Sequence, residues 1–190
     1  MKTEIRIVAG NLRGRKLRCV VHPDMRPTPQ AVREALFSIL GDAVPDRHFF
    51  DVFAGTGVVG LEALSRGASR VTFVERDFRL TEAIDKHLRE FGVAGQARVS
   101  RSDVYHWIER WESPAEPVTL FLSPPFGDFE RRPEELYAVL EALRRRVTPG
   151  SVVVLQAEES EFLEMLPGRS DADERKYGRN HLLFWVKEGD

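Results

Sequence analysis

The stretch from Phe49 to Gly60, F-F-D-V-F-A-G-T-G-V-V-G, limits what this chain can fold into more than any other. Phe49, Phe50, Val52 and Phe53 form an apolar run suited to a strand buried on both faces, and Gly55 and Gly57 let the backbone turn tightly and approach a ligand. Leu61, Leu64 and the alanines beside them carry a helix onward. Strand, glycine turn and helix in that order open an α/β fold of the Rossmann type. The spacing of Gly55, Gly57 and Gly60 fits the dinucleotide fingerprint, so the glycines alone leave two cofactors open, a nicotinamide dinucleotide or S-adenosylmethionine (SAM).

The rest of the chain extends that unit. Arg70 to Glu75 predicts a second, parallel strand ending in an acidic residue, and a carboxylate at that place accepts hydrogen bonds from ribose hydroxyls; the alternative is a solvated surface glutamate. Leu80 to Phe91 has helical periodicity, and Ala97 to Ser100 reads as a third strand followed by Ser102-Asp103, where cofactor contacts gather. Asp103 also suits the N-cap of a helix from Val104 to Trp111, and the two roles are compatible. Val118 to Leu122 is a fourth buried strand stopped by Ser123-Pro124-Pro125-Phe126, whose prolines fix a rigid turn beside a presented phenylalanine; a plain proline stop with a packing ring is the other reading. A helix from Glu134 to Val147 and a fifth strand from Ser151 to Gln156 follow. Arg175 to Asn180 leads into His181 to Val186, a terminal hairpin.

Upstream, Ile5, Ile7 and Ala9 alternate with other residues, and Lys16 to Val21 gives a partner strand, a small hairpin with Arg13, Arg15 and Lys16 near its tip or edge. Edge protection by charge is the competing explanation for those cations. A helix from Gln30 to Leu40 is expected, capped by Thr28 with Pro29 at its first position, with Val32, Leu36, Phe37, Ile39 and Leu40 on its apolar face and Arg33 and Glu34 on the other side.

Composition enters through charge. The chain of 190 residues carries −2 overall, but its first 33 residues hold eight basic side chains against two acidic ones, a surplus of +6 that leaves −8 for the remainder. Such an arm suits a polyanion held at one face. The length and 42% hydrophobic content suit one domain with an appendage. No apolar run approaches a membrane span and the start lacks the core of a signal peptide, so the cytoplasm is expected. Cys19 is a lone cysteine and the five histidines lack ligand spacing, so no metal is expected.

D-V-F-A-G-T-G, the strand-ending Glu75, Ser102-Asp103 and P-P-F after the fourth strand resemble the ordered motifs of class I SAM-dependent methyltransferases. More narrowly, R-I-V-A-G-N-L-R-G-R-K-L (Arg6 to Leu17), R-P-T-P-Q-A-V-R-E-A-L-F (Arg26 to Phe37), the glycine stretch to Ala68 and Y-G-R-N-H-L-L-F-W (Tyr177 to Trp185) resemble the bacterial RsmD family, 16S rRNA guanine-N2 methyltransferases. The resemblance implies a mostly parallel Rossmann-like sheet with an antiparallel terminal hairpin and a small N-terminal hairpin extension, divided into a basic RNA-facing arm (1–28) and a methyltransferase domain (29–190).

It also implies a site. Asp51, Gly55 and Gly57 would surround the methionine moiety of SAM, Glu75 would hold the ribose and Asp103 would meet the adenine amine, with Phe53, Ala54, Thr56, Arg76, Ser102 and Val104 beside them. The target base would sit against Pro124, Pro125 and Phe126, and Arg13, Arg15, Lys16, Arg26, Thr28 and Arg33 would contact RNA, as naked 16S rRNA or a small-subunit particle. No membrane or obligate protein partner is implied. The chain departs from the family at Ser123, where Asp or Asn is usual, which leaves open a SAM- and RNA-binding assembly factor with weak or no turnover.

Overall fold

The computed structural model describes residues 2–20 and 25–189, so Val21, expected to extend a strand, lies outside the described residues. In chain order the elements are β1 (Lys2–Arg6), β2 (Lys16–Val20), α1 (Gln30–Leu40), β3 (His48–Val52), α2 (Val58–Ser65), β4 (Arg70–Glu75), α3 (Phe78–Glu90), β5 (Ala97–Arg101), α4 (Val104–Arg110), β6 (Val118–Leu122), α5 (Phe126–Arg131), α6 (Pro133–Arg146), β7 (Val152–Glu158), α7 (Glu161–Glu164), β8 (Asp173–Tyr177) and β9 (Asn180–Val186). β1 and β2 form a separate antiparallel pair, and the other seven strands form one sheet in the order β5-β4-β3-β6-β7-β9-β8.

The strand order follows from the sequence pattern. β3 to β7 pair in parallel and are joined by helical crossovers, so both faces of the sheet are covered and the central strands read as unbroken apolar runs. β8 and β9 are joined by a short turn at Gly178 and pair antiparallel, with β9 inserted against β7. From β3 the chain winds outward to β4 and β5, then returns to lay β6 on the opposite side of β3. That reversal leaves a crevice at the carboxyl ends of β3 and β6, the place where open α/β sheets bind ligands.

One face of the sheet buries Phe49, Phe73, Phe121 and Val154 against α1, α2 and α3, and the other buries Phe50, Leu120, Leu122 and Val153 against α4 and α6. Side chains alternate between faces along each strand, and parallel partners in register share a face. Leu136, Leu140 and Leu143 seat α6, as its periodicity predicts.

The N-terminal hairpin belongs to the first of these cores, because Ile7, Leu12 and Leu17 are buried with Leu36, Leu61 and Ile84. Glu62 of α2, fully buried, accepts from the Val8 and Ala9 backbone N–H groups at 2.9 and 3.0 Å and pairs with Arg66 at 3.0 Å. A buried carboxylate is stable only with such partners, so this cluster fastens the hairpin to the sheet domain.

The fold corrects five expectations. Ile39, expected on the apolar face of α1, is 36% exposed, while Arg33 is buried in that helix instead. Thr28 does not cap α1: Pro29 is the N-cap and makes no side-chain cap bond, while the Thr28 hydroxyl donates to Gln156 Oε1 at 2.8 Å. Arg33 is not on an outer face; it is 2% exposed and donates to the Thr28 carbonyl at 2.7 Å and the Arg6 carbonyl at 2.9 Å. The Arg6 carbonyl comes from β1, a partner that a helical wheel cannot register. Phe53 is not part of β3, because it sits at φ 62, a left-handed conformation that turns the chain two residues before Gly55. The prolines after β6 end in a short helix, α5, with Pro125 as its N-cap, as well as in a turn.

Candidate functional site

A cavity of about 340 Å³ opens at the crevice between β3 and β6. Every stretch expected to touch SAM or the target base lines it: the glycine turn, Glu75-Arg76, Ser102-Asp103-Val104 and Ser123 to Phe126. Met25 to Pro29 crosses its mouth, and Gln156 and Asn180 stand at its far wall. Gly57 alone among the residues expected there is absent from that lining, because it faces inward at φ 74, where an added Cβ would fall 2.7 Å from Ile84. Its part is to let α2 start close to the sheet. Gly60 does the same one turn later, where a Cβ would fall 2.2 Å from the Phe73 ring.

The glycine turn is held by two carboxylates. Asp51, at the base of the cavity, accepts from the Gly60 N–H at 2.8 Å, and burial pushes its carboxyl up from 3.8 to about 8 against the opposing effect of that bond. Glu75 accepts from the Gly55 N–H at 2.8 Å through one oxygen and from the Asp77 N–H at 2.9 Å through the other. An ionised carboxylate offers about four lone-pair sites, so two remain for the adjacent hydroxyls of a ribose. Asp103 caps α4 through the Tyr105 N–H at 2.9 Å, and its second oxygen stands 3.7 Å from Arg76. Both roles read for Asp103 are therefore compatible in one conformation. These residues fit SAM: a cavity next to backbone N–H groups, acceptors for a ribose at Glu75 and an acceptor for an amine at Asp103.

The other half of the cavity is built around Ser123. Its N–H donates to the Val52 carbonyl at 3.2 Å, which keeps the end of β6 against β3, while its hydroxyl has no partner among the described residues. Pro124 is buried, and Phe126 is 42% exposed at the mouth. The Arg26 guanidinium lies over the Phe126 ring at 5.3 Å and 3.6 Å from Glu158, so it bridges the two rims.

Sequence reading missed the clamp that aims this turn. The Tyr105 hydroxyl donates to Asp128 at 2.7 Å, which ties α4 to α5, and the Arg132 guanidinium covers the Tyr105 ring at 3.7 Å. Burial and the Asp128 carboxylate push the Tyr105 hydroxyl well above its ordinary pKa, so it stays a donor. An aromatic in the first turn of a helix carries no sequence signal of this contact.

Of the residues expected to touch RNA, Arg13, Arg15, Lys16 and Arg26 are exposed. Thr28 and Arg33 are corrected: both are buried and engaged inside the fold. The hairpin turn donates the Asn11 and Leu12 N–H groups to Ser65 at the last turn of α2. Since α2 has 8 residues, that tip stands about 12 Å below the glycine turn. Lys16 pairs with Glu4 at 2.6 Å, and Arg15 lies over Phe91 at 5.6 Å, so Arg13 is the least engaged of the three.

A family model described as conserved hypothetical protein 95 matches residues 5–186. The chain belongs to this family, that of the RsmD methyltransferases. Against ribosomal RNA small subunit methyltransferase D of Escherichia coli K12 it is 41% identical over 123 residues, which is 65% of this chain and 61% of that protein. A solved structure described as "Putative methyltransferase yhhF from Escherichia coli" superposes with a TM-score of 0.79 at 30% identity, covering 99% of this chain and 100% of that one. The fold is shared with the Thermus thermophilus 16S rRNA N2 methyltransferase RsmC, solved with AdoMet and guanosine, at a TM-score of 0.74 and 21% identity over 99% of this chain and 50% of that one. The RsmD family thus accounts for the sheet, the hairpin and the motif order together. Among the described residues no helix is long and apolar enough to cross a membrane.

Proposed function

We propose that this member of the RsmD family transfers the methyl group of SAM to the exocyclic N2 amine of a guanine in 16S ribosomal RNA, in the cytoplasm, on the RNA or on a small-subunit particle. One observation carries the reading: a single cavity joins a carboxylate-pinned glycine turn to a Ser-Pro-Pro-Phe turn with an exposed ring. A nicotinamide oxidoreductase would leave the second half of that cavity without a role. The named relatives are methyltransferases, so the assembly factor without turnover is not favoured.

When bound, SAM supplies an electrophilic methyl group on a sulfonium sulfur. Glu75 orients the ribose and Asp103 the adenine, which fixes where that methyl points. The target base is turned out of its RNA and stacks on Phe126 in place of the Arg26 guanidinium, which is then free to meet a phosphate. A guanine amine is a poor nucleophile because its lone pair is delocalised into the ring. Ser123 Oγ and the Pro124 carbonyl accept its N–H groups and turn the lone pair out of the ring plane toward the methyl; the Pro125 carbonyl already accepts from the Asp128 N–H at 2.9 Å. Methylation would put positive charge on the amine, so its N–H groups would donate more strongly to Ser123 Oγ and the Pro124 carbonyl, and one proton would then be lost to water. The exposed cations Arg13, Arg15 and Lys16 hold the phosphate backbone at the hairpin, about 12 Å from the cavity along α2.

The test is transfer of labelled methyl from SAM to small-subunit particles lacking the modification, with the product mapped. Incorporation at one guanine N2 is expected. SAM binding without incorporation into any particle would move the assignment to the assembly factor.

A further inference from the structure

The far wall of the cavity carries a hydrogen-bond chain that neither cofactor nor methyl transfer requires. The Thr28 hydroxyl donates to Gln156 Oε1 at 2.8 Å, and Gln156 Nε2 donates to Asn180 Oδ1 at 2.9 Å. All three residues line the cavity, and they come from three distant parts of the chain: the crossing segment, β7 and β9. The chain has a direction. With the Thr28 hydroxyl donating to Gln156 Oε1, the Gln156 N–H donates to Asn180 Oδ1, and the Asn180 amide nitrogen is left with its donors toward the cavity. Among the described residues nothing pairs with Asn180 Nδ2.

The sheet places this donor opposite the reacting turn. Asp51, Phe121, Val154 and Phe184 are register partners on one face, so Ser123, Gln156 and Asn180, each an even number of residues from them, lie on the same face. Ser123 follows Leu122 and so falls level with Gln156 on the neighbouring strand, about 4.8 Å away; Asn180 is one strand further and two residues beyond that level, opposite Glu158, so strand spacing and rise put it roughly 12 Å from Ser123. A purine whose amine reaches Ser123 therefore extends its other edge toward Asn180. Guanine presents the O6 acceptor at that edge and adenine presents an amine donor. Glu158, the register partner of Asn180, stands 3.6 Å from the Arg26 guanidinium.

We propose that Asn180 reads guanine O6 through its amide N–H, and that Thr28 and Gln156 are positioning residues that set the amide's direction. The inference rests on the base site proposed above and assigns its specificity. A carboxamide held as a donor favours a carbonyl and leaves an amine without an acceptor, which separates guanine from adenine at the one position where the exocyclic groups differ in sign.

The experiment measures binding of nucleosides to the full chain saturated with S-adenosylhomocysteine, by NMR titration, so that no turnover and no target sequence are needed. Guanosine is compared with 2-aminopurine riboside, which keeps the N2 amine and lacks O6. The parent is expected to prefer guanosine about tenfold, Asn180→Ala to narrow the preference to about twofold or less, Asn180→Asp to reverse it, and Thr28→Val, isosteric but without the hydroxyl, to narrow it about threefold. S-adenosylhomocysteine affinity, measured alongside, shows that each variant is folded. A parent that binds neither nucleoside overturns the base site and this inference with it. A parent that binds both equally, or a preference that survives Asn180→Ala in a folded variant, overturns the assignment of Asn180 alone.

Discussion

The two halves of the cavity are made differently. At the carboxyl ends of β3, β4 and β5 the walls are a glycine turn and three carboxylates, Asp51, Glu75 and Asp103, that accept backbone N–H groups, and the partners lie 2 to 20 residues apart. At the ends of β6, β7 and β9 the walls are side chains, and the bond from Thr28 to Gln156 spans 128 residues. The first half suits a ligand that is always the same, because backbone geometry is insensitive to neighbouring substitutions. The second is set by individual side chains, so its selectivity can change one residue at a time, and Ser123 is one of those side chains.

The largest effect expected is in the first half. Glu75→Ala removes acceptors for the Gly55 and Asp77 N–H groups together with those for the ribose, and each charge-assisted bond is worth about 1.5–3 kcal/mol. SAM affinity by calorimetry should fall at least tenfold; an affinity within twofold of the parent removes Glu75 from the cofactor site.

Next in size is the second half's reacting group. Ser123→Asp or Ser123→Asn should raise kcat on small-subunit particles by roughly tenfold with SAM affinity unmoved, since a single transition-state hydrogen-bonding group elsewhere is worth about 2.7–4 kcal/mol and a stronger acceptor recovers only part of that. Ser123→Ala at parental rate would show that the hydroxyl takes no part and that the Pro124 carbonyl suffices.

A third measurement separates the halves by pH. The Asp51 carboxyl is held at about 8, against 3.8 in an unfolded chain, so below pH 4 both states are protonated and the group contributes nothing to pH dependence. Between about 4 and 8 only the unfolded state ionises, and stability from this group falls as pH rises; above about 8 the fall stops. Asp51→Asn, which keeps an acceptor for the Gly60 N–H, should abolish that share of the slope in melting temperature. Because SAM is cationic, it favours the ionised form, so its binding should release protons near neutral pH, visible as a buffer-dependent enthalpy that Asp51→Asn removes. A buffer-independent enthalpy for the parent refutes the coupling.

The smallest effect lies outside both halves. Alanine at Arg13, Arg15 and Lys16 should reduce the slope of RNA affinity against salt by about 0.7–0.9 for each phosphate that is no longer neutralised, with SAM and nucleoside affinities constant. Lys16 should contribute least, since Glu4 already pairs with it at 2.6 Å. An unchanged slope returns these cations to the protection of a strand edge.

The strands of the sheet, the glycine turn, the acidic end of β4 and the proline turn were all legible without coordinates, because each is written in neighbouring residues: apolar runs of strand length, glycines where φ must be positive or a Cβ has no room, prolines where a ladder must stop. The family was legible too, since those stretches keep their order along the chain. Folding in three dimensions settled the polar groups. Arg33, outside on a helical wheel, is buried because the docked hairpin brings the Arg6 carbonyl of β1 to it beside the Thr28 carbonyl. Thr28, a good cap by its position, gives its hydroxyl to Gln156 because β7 stands beside it. Glu62 is buried in α2 because the hairpin docks there. In each case at least one partner came from a segment distant along the chain, the N-terminal hairpin or β7, brought near only by tertiary packing.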